Sequence, residues 1–212
     1  MKVDIWSDVR CPFCYIGKRK FEMALAQFEH KDEVEVEWHS FELDPNAATV
    51  LDKSAYDYLA ERYGRSRDWA VETHKHVAQT AAEVGLTFNF DQSVIANSFD
   101  AHRLIQMAKE NGAGDLVEEN LFKAHFTDGK NIADHEVLLQ IGRDSGLNTL
   151  EVEVMLKSDD FADEVRYDEK TAQDLGITGV PFFIFDQKLV VSGAQAPETF
   201  LGAMIKATEE NK

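Results

Sequence analysis

The sequence predicts an α/β chain whose strands lie only toward its two ends, with a long all-helical stretch between them. Three observations carry this. Short apolar or alternating runs occur at residues 3–7, 34–41, 181–185 and 189–192. Between residues 54 and 175 the chain instead repeats helix start and stop signals. Its only two cysteines form one tetrapeptide, Cys11-Pro12-Phe13-Cys14, where the first strand gives way to the first helix.

In chain order, Val3-Asp4-Ile5-Trp6-Ser7 reads as a strand, and residues 12–28 as a helix with Phe21, Leu25 and Phe28 on one side. Residues 34–41 alternate Val34, Val36 and Trp38 against Glu35, Glu37 and His39, a second strand. A right-handed crossover makes these two strands parallel. Asp44-Pro45-Asn46 ends the pattern. Helices are then expected from Ser54 to Gly64, Ser66 to Gly85, Asn97 or Ser98 to Gly112, Asp115 to about His125, and Asp134 to Gly146. Asn148 and Glu151 have capping-box spacing. A last helix of this stretch, about 160–175, would bury Phe161, Val165, Ala172 and Leu175. Pro181–Phe185 and Leu189–Ser192 read as a hairpin around Asp186-Gln187, and Pro197 opens a final helix that buries Phe200, Leu201, Met204 and Ile205.

The order β-α-β, helices, β-β-α fits the two halves of a thioredoxin fold, residues 1–44 and 176–212; order alone allows other α/β folds, and the C-x-x-C placement and the Val180-Pro181 step narrow it. A large all-α insertion, 45–175, interrupts them, and its last helix leads back.

A chain of 212 residues buries enough surface to need no staples. Its net charge of −17 excludes nucleic acid and anionic membrane surfaces as partners. No apolar run reaches the roughly 20 residues of a membrane span. Acidic residues at Asp4 and Asp8 interrupt any export signal near Met1, so a cytoplasmic location is expected. In a reducing compartment a lone C-x-x-C points to catalysis rather than to a structural disulfide. At a helix start, unpaired N–H groups and the helix dipole favour anionic sulfur by roughly 0.3–1 kcal/mol, with Arg10 and Lys18 as further cations nearby. Phe13 adds neither charge nor donor.

Five segments resemble the DsbA-type thioredoxin-like proteins, most closely the cytoplasmic FrnE-like oxidoreductase branch. They are Ser7–Lys18, Phe41–Pro45, Asn97–Leu104, Gly176–Phe183 and Ser192–Gln195. Phe13 departs from the Trp often found in that branch, and Asn131 from a common Asp. The resemblance implies a cis peptide at Val180-Pro181 beside the C-x-x-C, with the backbone of Val180 pairing with extended substrate. It also implies Cys11 as the exposed nucleophile and Cys14 as the buried resolving thiol. The implied activity is thiol–disulfide exchange, as reductase or isomerase, on protein or small-molecule disulfides. No cofactor is expected to be bound, glutathione is a candidate co-substrate, and the chain is expected to be a monomer or homodimer.

Other residues are weighed against plainer readings. His74 and His76, two apart on a helix, read as solvated surface and not as metal ligands, and no metal site is expected. His39 reads as a strand residue without a role. Asp8 reads as local capping or a solvated group rather than a proton relay. Phe13, Tyr15, Phe182 and Phe183 form an aromatic group near the thiols, with Phe182 and Phe183 on opposite sheet faces. Asn97 and His102 either contact a thiol substrate or cap and buttress a helix. Two rival functions remain. One is a glutathione-dependent isomerase or transferase of the chromene-carboxylate isomerase or kappa type, which typically carries Ser at the first cysteine position. The other is a holdase chaperone or partner-binding module.

Overall fold

The computed structural model describes residues 1–48 and 53–209. Two compact units divide the chain: Met1–Leu43 with Ala162–Lys212, and Asp44–Phe161.

In the first unit, β1 (Lys2–Ser7), β2 (Glu35–Ser40), β3 (Phe182–Phe185) and β4 (Leu189–Ser192) form one sheet in the order β2-β1-β3-β4. β1 is central. It runs parallel to β2 in the register Ser7↔Ser40 and antiparallel to β3 in the register Ile5↔Phe183. This is the thioredoxin-like sheet that the strand spacing predicts. Asp186 and Gln187 turn the β3–β4 hairpin with φ of 47° and 57°, as a two-residue turn of this hand requires. Asp186 also accepts the Lys2 N–H at 2.7 Å, tying the turn to β1.

The two sheet faces bury different sets. Val3, Ile5, Phe183 and Phe185 share the face covered by α1 (Pro12–Leu25) and α9 (Pro197–Glu209). There Phe21 and Phe200 pack on Phe183 with ring centroids 5.8 and 4.7 Å away. Trp6 marks the other face, with Ala172, Ile177, Phe182 and Ile184 around it. Phe182 and Phe183 therefore divide between the faces, as strand parity demands.

The return boundary differs from the expected one at residue 175. α8 (Ala162–Asp174) packs against β2 and belongs to the first unit. The carbonyl of Asp168 accepts the Trp6 indole N–H at 3.2 Å, and its carboxylate accepts Ser40 N–H at 2.9 Å. Arg166 pairs with the buried Glu42 at 2.7 Å. Phe161 and Leu175 are not on the buried stripe of this helix. Phe161 precedes it with φ 63°, and Leu175 follows it, 55% exposed.

His39 also departs from expectation. Its ring stacks on Trp6 at 4.4 Å, and its nitrogens face Asp4 at 2.9 Å and Asp168 at 2.8 Å. A doubly protonated ring satisfies both carboxylates and joins β1, β2 and α8. Burial pushes the Asp4 carboxyl up, but hydrogen bonds from His39 and Lys2 outweigh this and hold it below its usual range.

The second unit is helical: α2 (Ala55–Tyr63), α3 (Arg67–Ala82), α4 (Phe99–Glu110), α5 (Gly114–Phe126), α6 (His135–Asp144) and α7 (Thr149–Leu156). Its helix starts follow local chemistry. Ser54, Ser66, Asp134 and Asn148 each accept a first-turn N–H through the side chain. Gly64 closes α2 in the left-handed region at φ 60°. Buried Arg103 ties α4 to the end of α7 and the segment after it. It donates to Asp160 O at 2.8 Å, Met155 O at 2.6 Å and Ser158 O at 2.5 Å, and pairs with Asp100 at 2.8 Å.

His74 is not the solvated surface group that its spacing suggests. It stacks on Phe90 at 4.1 Å, and burial lowers its pKa from 6.5 to about 4. His76 is exposed, as expected.

Two outcomes are expected. Arg103→Ala strands several buried carbonyls and lowers stability by on the order of 3 kcal/mol, measured by denaturant unfolding. For His74, the folded pKa lies below the unfolded one, so its contribution is complete above pH 6.5 and is lost as pH falls toward about 4. A His74→Phe variant should therefore show a flatter stability curve across that window than the natural chain.

Candidate active site

β1 ends where α1 begins, and the junction is built from backbone hydrogen bonds. Cys11 is the N-cap of α1, with extended φ/ψ of −88° and 113°, and Pro12 occupies the first helical position. Cys11 N–H donates to Asp8 O at 2.8 Å, and Cys14 N–H donates to Cys11 O at 3.0 Å. Asp8 is fully buried rather than solvated. Its carboxylate accepts Arg10 N–H at 3.0 Å and Leu43 N–H at 2.8 Å, the capping role.

Both cysteines are free thiols. The resemblance implied an exposed Cys11, but Cys11 is 5% exposed against 1% for Cys14. The cause is the loop opposite. The Val180-Pro181 peptide is cis, and the Cys11 thiol faces the Val180 carbonyl at 3.6 Å. Phe13, between the two cysteines, is 46% exposed.

Burial pushes the Cys14 thiol well above the usual range, and the neighbouring Cys11 sulfur adds to this. The backbone of Asp8 and the side chain of Ser7 hydrogen-bond Cys14 and act the opposite way. Ser7 was not picked out from sequence, although a signal existed. It shares parity with Val3 and Ile5, whose face α1 covers.

Lys18 is engaged elsewhere on α1 and the sheet. It is buried, ion-paired to Glu22 one turn on, and lies 5.9 Å over the Trp38 ring. Gly17 allows the loop to approach α1. A Cβ there would lie 3.0 Å from Pro181 Cγ and 3.6 Å from Ala194 Cβ. Lys20 Nζ donates to Ala194 O at 3.1 Å, and Gly193 N–H donates to Pro181 O at 2.8 Å. Beside this loop lies a cavity of about 280 Å³, lined by Thr178, Gly179, Val180, Pro181, Ser192 and Gly193.

Cys11, Phe13, Cys14, Val180 and Pro181 thus belong to the first unit, while Asn97 and His102 belong to the second. Asn97 makes capping bonds. Its carbonyl oxygen accepts Phe99 N–H at 2.8 Å, and its amide donates to Ala47 O at 3.3 Å. His102 is buried in α4.

One group with metal-ligating chemistry stands out among the described residues, Asp4, Glu37 and His39, with ligand atoms within 4.8 Å of one another. The Lys2 ammonium lies 2.9 Å from Asp4 and 2.5 Å from Glu37, so the protein supplies its own cation there. Among the described residues no helix is long and apolar enough to cross a membrane.

The DSBA-like thioredoxin domain model matches residues 2–204. The chain is 30% identical over 200 residues to the uncharacterized protein YwbO of Bacillus subtilis (strain 168), covering 93% of this chain and 92% of that one. It is similar to the crystal structure of a probable DsbA oxidoreductase, SCO1869 from Streptomyces coelicolor. The TM-score is 0.95 at 40% identity, over 100% of this chain and 92% of that one. The cytosolic disulfide reductase DsbM from Pseudomonas aeruginosa, solved with GSH, matches at a TM-score of 0.65 and 16% identity, over 100% of this chain and 97% of that one; this likeness shows the fold alone.

Replacing Gly17 tests whether α1 holds the loop over Cys11. Gly17→Val should push Pro181 away, cost about 1–3 kcal/mol of stability, and speed alkylation of Cys11 by iodoacetamide several-fold. An unchanged alkylation rate in a destabilised variant would separate packing from access.

Proposed function

The chain belongs to the DSBA-like thioredoxin domain family, and from that premise we propose that it is a thiol–disulfide oxidoreductase working through Cys11 and Cys14. One observation carries the reading. Cys11 caps the N-terminus of α1 and faces Val180 O at 3.6 Å, with the buried Cys14 one helical turn behind it.

The Cys11 thiolate attacks a substrate disulfide, forming a mixed disulfide and releasing one substrate thiolate, which takes up a proton. Cys14 loses its proton and attacks the Cys11 sulfur. The second substrate thiol leaves, and the Cys11–Cys14 disulfide closes. The helix N-terminus favours the anionic sulfur in the first step. The backbone of Val180 holds extended substrate by strand-like pairing beside Cys11. Phe13, half-exposed between the cysteines, offers an apolar contact to the same segment.

The substrates we propose are protein or small-molecule disulfides, with glutathione as co-substrate and the cytoplasm as the compartment. The DsbM structure with GSH, a fold relative, supports the choice of small thiol. In a reducing compartment the cycle runs as reductase or isomerase. Phe13 supplies neither charge nor donor to stabilise the reduced pair, so the potential should lie well below the roughly −120 mV of DsbA itself.

Insulin reduction with glutathione as the electron donor tests the reading. Cys11→Ser should abolish turnover, and Cys14→Ala should accumulate mixed disulfides that mass spectrometry detects. Full activity in Cys11→Ser would sink the mechanism.

A further inference from the structure

The sheet face turned away from α1 carries a cation set between two acids. His39 of β2 faces Asp4 of β1 through Nε2 at 2.9 Å and Asp168 of α8 through Nδ1 at 2.8 Å. A carboxylate oxygen only accepts, so both ring nitrogens donate and the ring is an imidazolium. The other charged groups beside it are Lys2 of β1, 2.9 Å from Asp4, and Glu37 of β2, which pairs with Lys2 at 2.5 Å.

We propose that His39 is a positioning residue for the exchange reaction: as the cation bridging β1 and α8 it seats Trp6, and through Trp6 it sets Val180 opposite Cys11. Its effect on turnover rests on the dithiol reading above.

The path from His39 to the thiol is contiguous. The His39 ring stacks on Trp6 with centroids 4.4 Å apart and planes 16° from parallel. Trp6 is buried, and its indole N–H donates to Asp168 O at 3.2 Å. One residue of α8 thus holds both rings, His39 by its carboxylate and Trp6 by its carbonyl. Trp6 packs with Ala172 and Ile177, and Val180 packs against this cluster. Ile177 N–H donates to Ala172 O at 2.9 Å, so the chain is still tied to α8 just before the loop. Val180 in turn presents its carbonyl to the Cys11 thiol at 3.6 Å. Close packing passes a displacement from one of these side chains to the next.

A neutral imidazole has one N–H. On losing its proton His39 donates to only one of the two acids, and a lone pair faces the other. The two carboxylates favour the charged ring. The bridge is therefore complete below the ~6.5 of a free imidazole and opens as pH rises through the higher midpoint of the folded chain. The plainer reading is a clamp that only secures α8 to the sheet. Breaking a clamp lowers stability but leaves Val180, and the affinity for substrate, where they were.

Nuclear magnetic resonance of the reduced full chain reads the path from end to end. At pH 7 the His39 ring should carry two N–H protons. On raising the pH, the His39 ring nitrogens, the Trp6 indole N–H and the Val180 amide should titrate with one midpoint. Asp4→Asn keeps an acceptor but removes a charge, so that midpoint should fall and all three signals should fall with it. A Val180 shift that stays put while the ring midpoint falls reports Cys11 instead and overturns the coupling. With insulin as substrate, His39→Gln should raise KM several-fold and change kcat less than twofold. Where His39→Gln does not fold, Asp4→Asn gives the same comparison at a pH between the two midpoints, where its KM should exceed the natural one. A ring with a single N–H at pH 7, a Trp6 signal that ignores the ring, or an unchanged KM overturns the assignment. A natural chain that reduces no disulfide overturns the dithiol reading and the part of His39 in turnover, and the shared midpoint then decides the link from His39 to Val180 alone.

Discussion

The close approach of α1 to the loop carrying Pro181 is the constraint on which the site depends. Gly17 has no Cβ, so Pro181 comes close enough that a Cβ there would lie 3.0 Å from its Cγ and the ring would have to give by a few tenths of an ångström. Lys20 holds Ala194 from the same helix, and Gly193 holds Pro181 from the far strand. With helix and loop so placed, the Cys11 thiol faces the Val180 carbonyl, and Val180 itself lines the cavity shared with Thr178 and Ser192. Glycine is needed here for closeness of packing rather than for backbone freedom.

The junction also divides the chemistry between two sulfurs. Cys11 sits at the N-terminus of α1, where the helix dipole favours negative charge. Cys14 sits inside, where burial disfavours its charged form and hydrogen bonding from the Asp8 backbone and the Ser7 side chain acts the opposite way. The acidic residues Asp4 and Asp8 serve other ends. Asp8 holds the turn, and Asp4 joins His39 and Lys2 on the opposite face. Charge near the thiols is therefore handled by backbone and hydroxyl donors, while ion pairs secure α8 to the sheet.

Much of this was legible in the sequence. The helix starts at Ser54, Ser66, Asp134 and Asn148 follow from side-chain capping, which is local and has a spacing. The strands were readable from alternation, and so was the placement of Cys11 and Cys14 between the first strand and the first helix. What was not legible depends on distant partners. His39 gives no sign that Asp168, 129 residues later, will bond its ring. The membership of α8 is set by Trp6, Ser40 and Glu42, far from it in the chain. The burial of His74 comes from stacking on Phe90, not from its spacing to His76. Ser7 stood between these cases: strand parity places it toward α1, but its meeting with Cys14 needs the helix in position.

The divided first unit has a consequence for how the chain is made. Asp44–Phe161 is contiguous, so it can fold as soon as it leaves the ribosome. β1 and β2 emerge earlier, but their sheet stays open along one edge until β3 and β4 are synthesised. Throughout that interval Cys11 lacks the loop that carries Val180. The nascent chain thus passes through a stage in which Cys11 lies without the Val180 carbonyl that it faces in the folded unit.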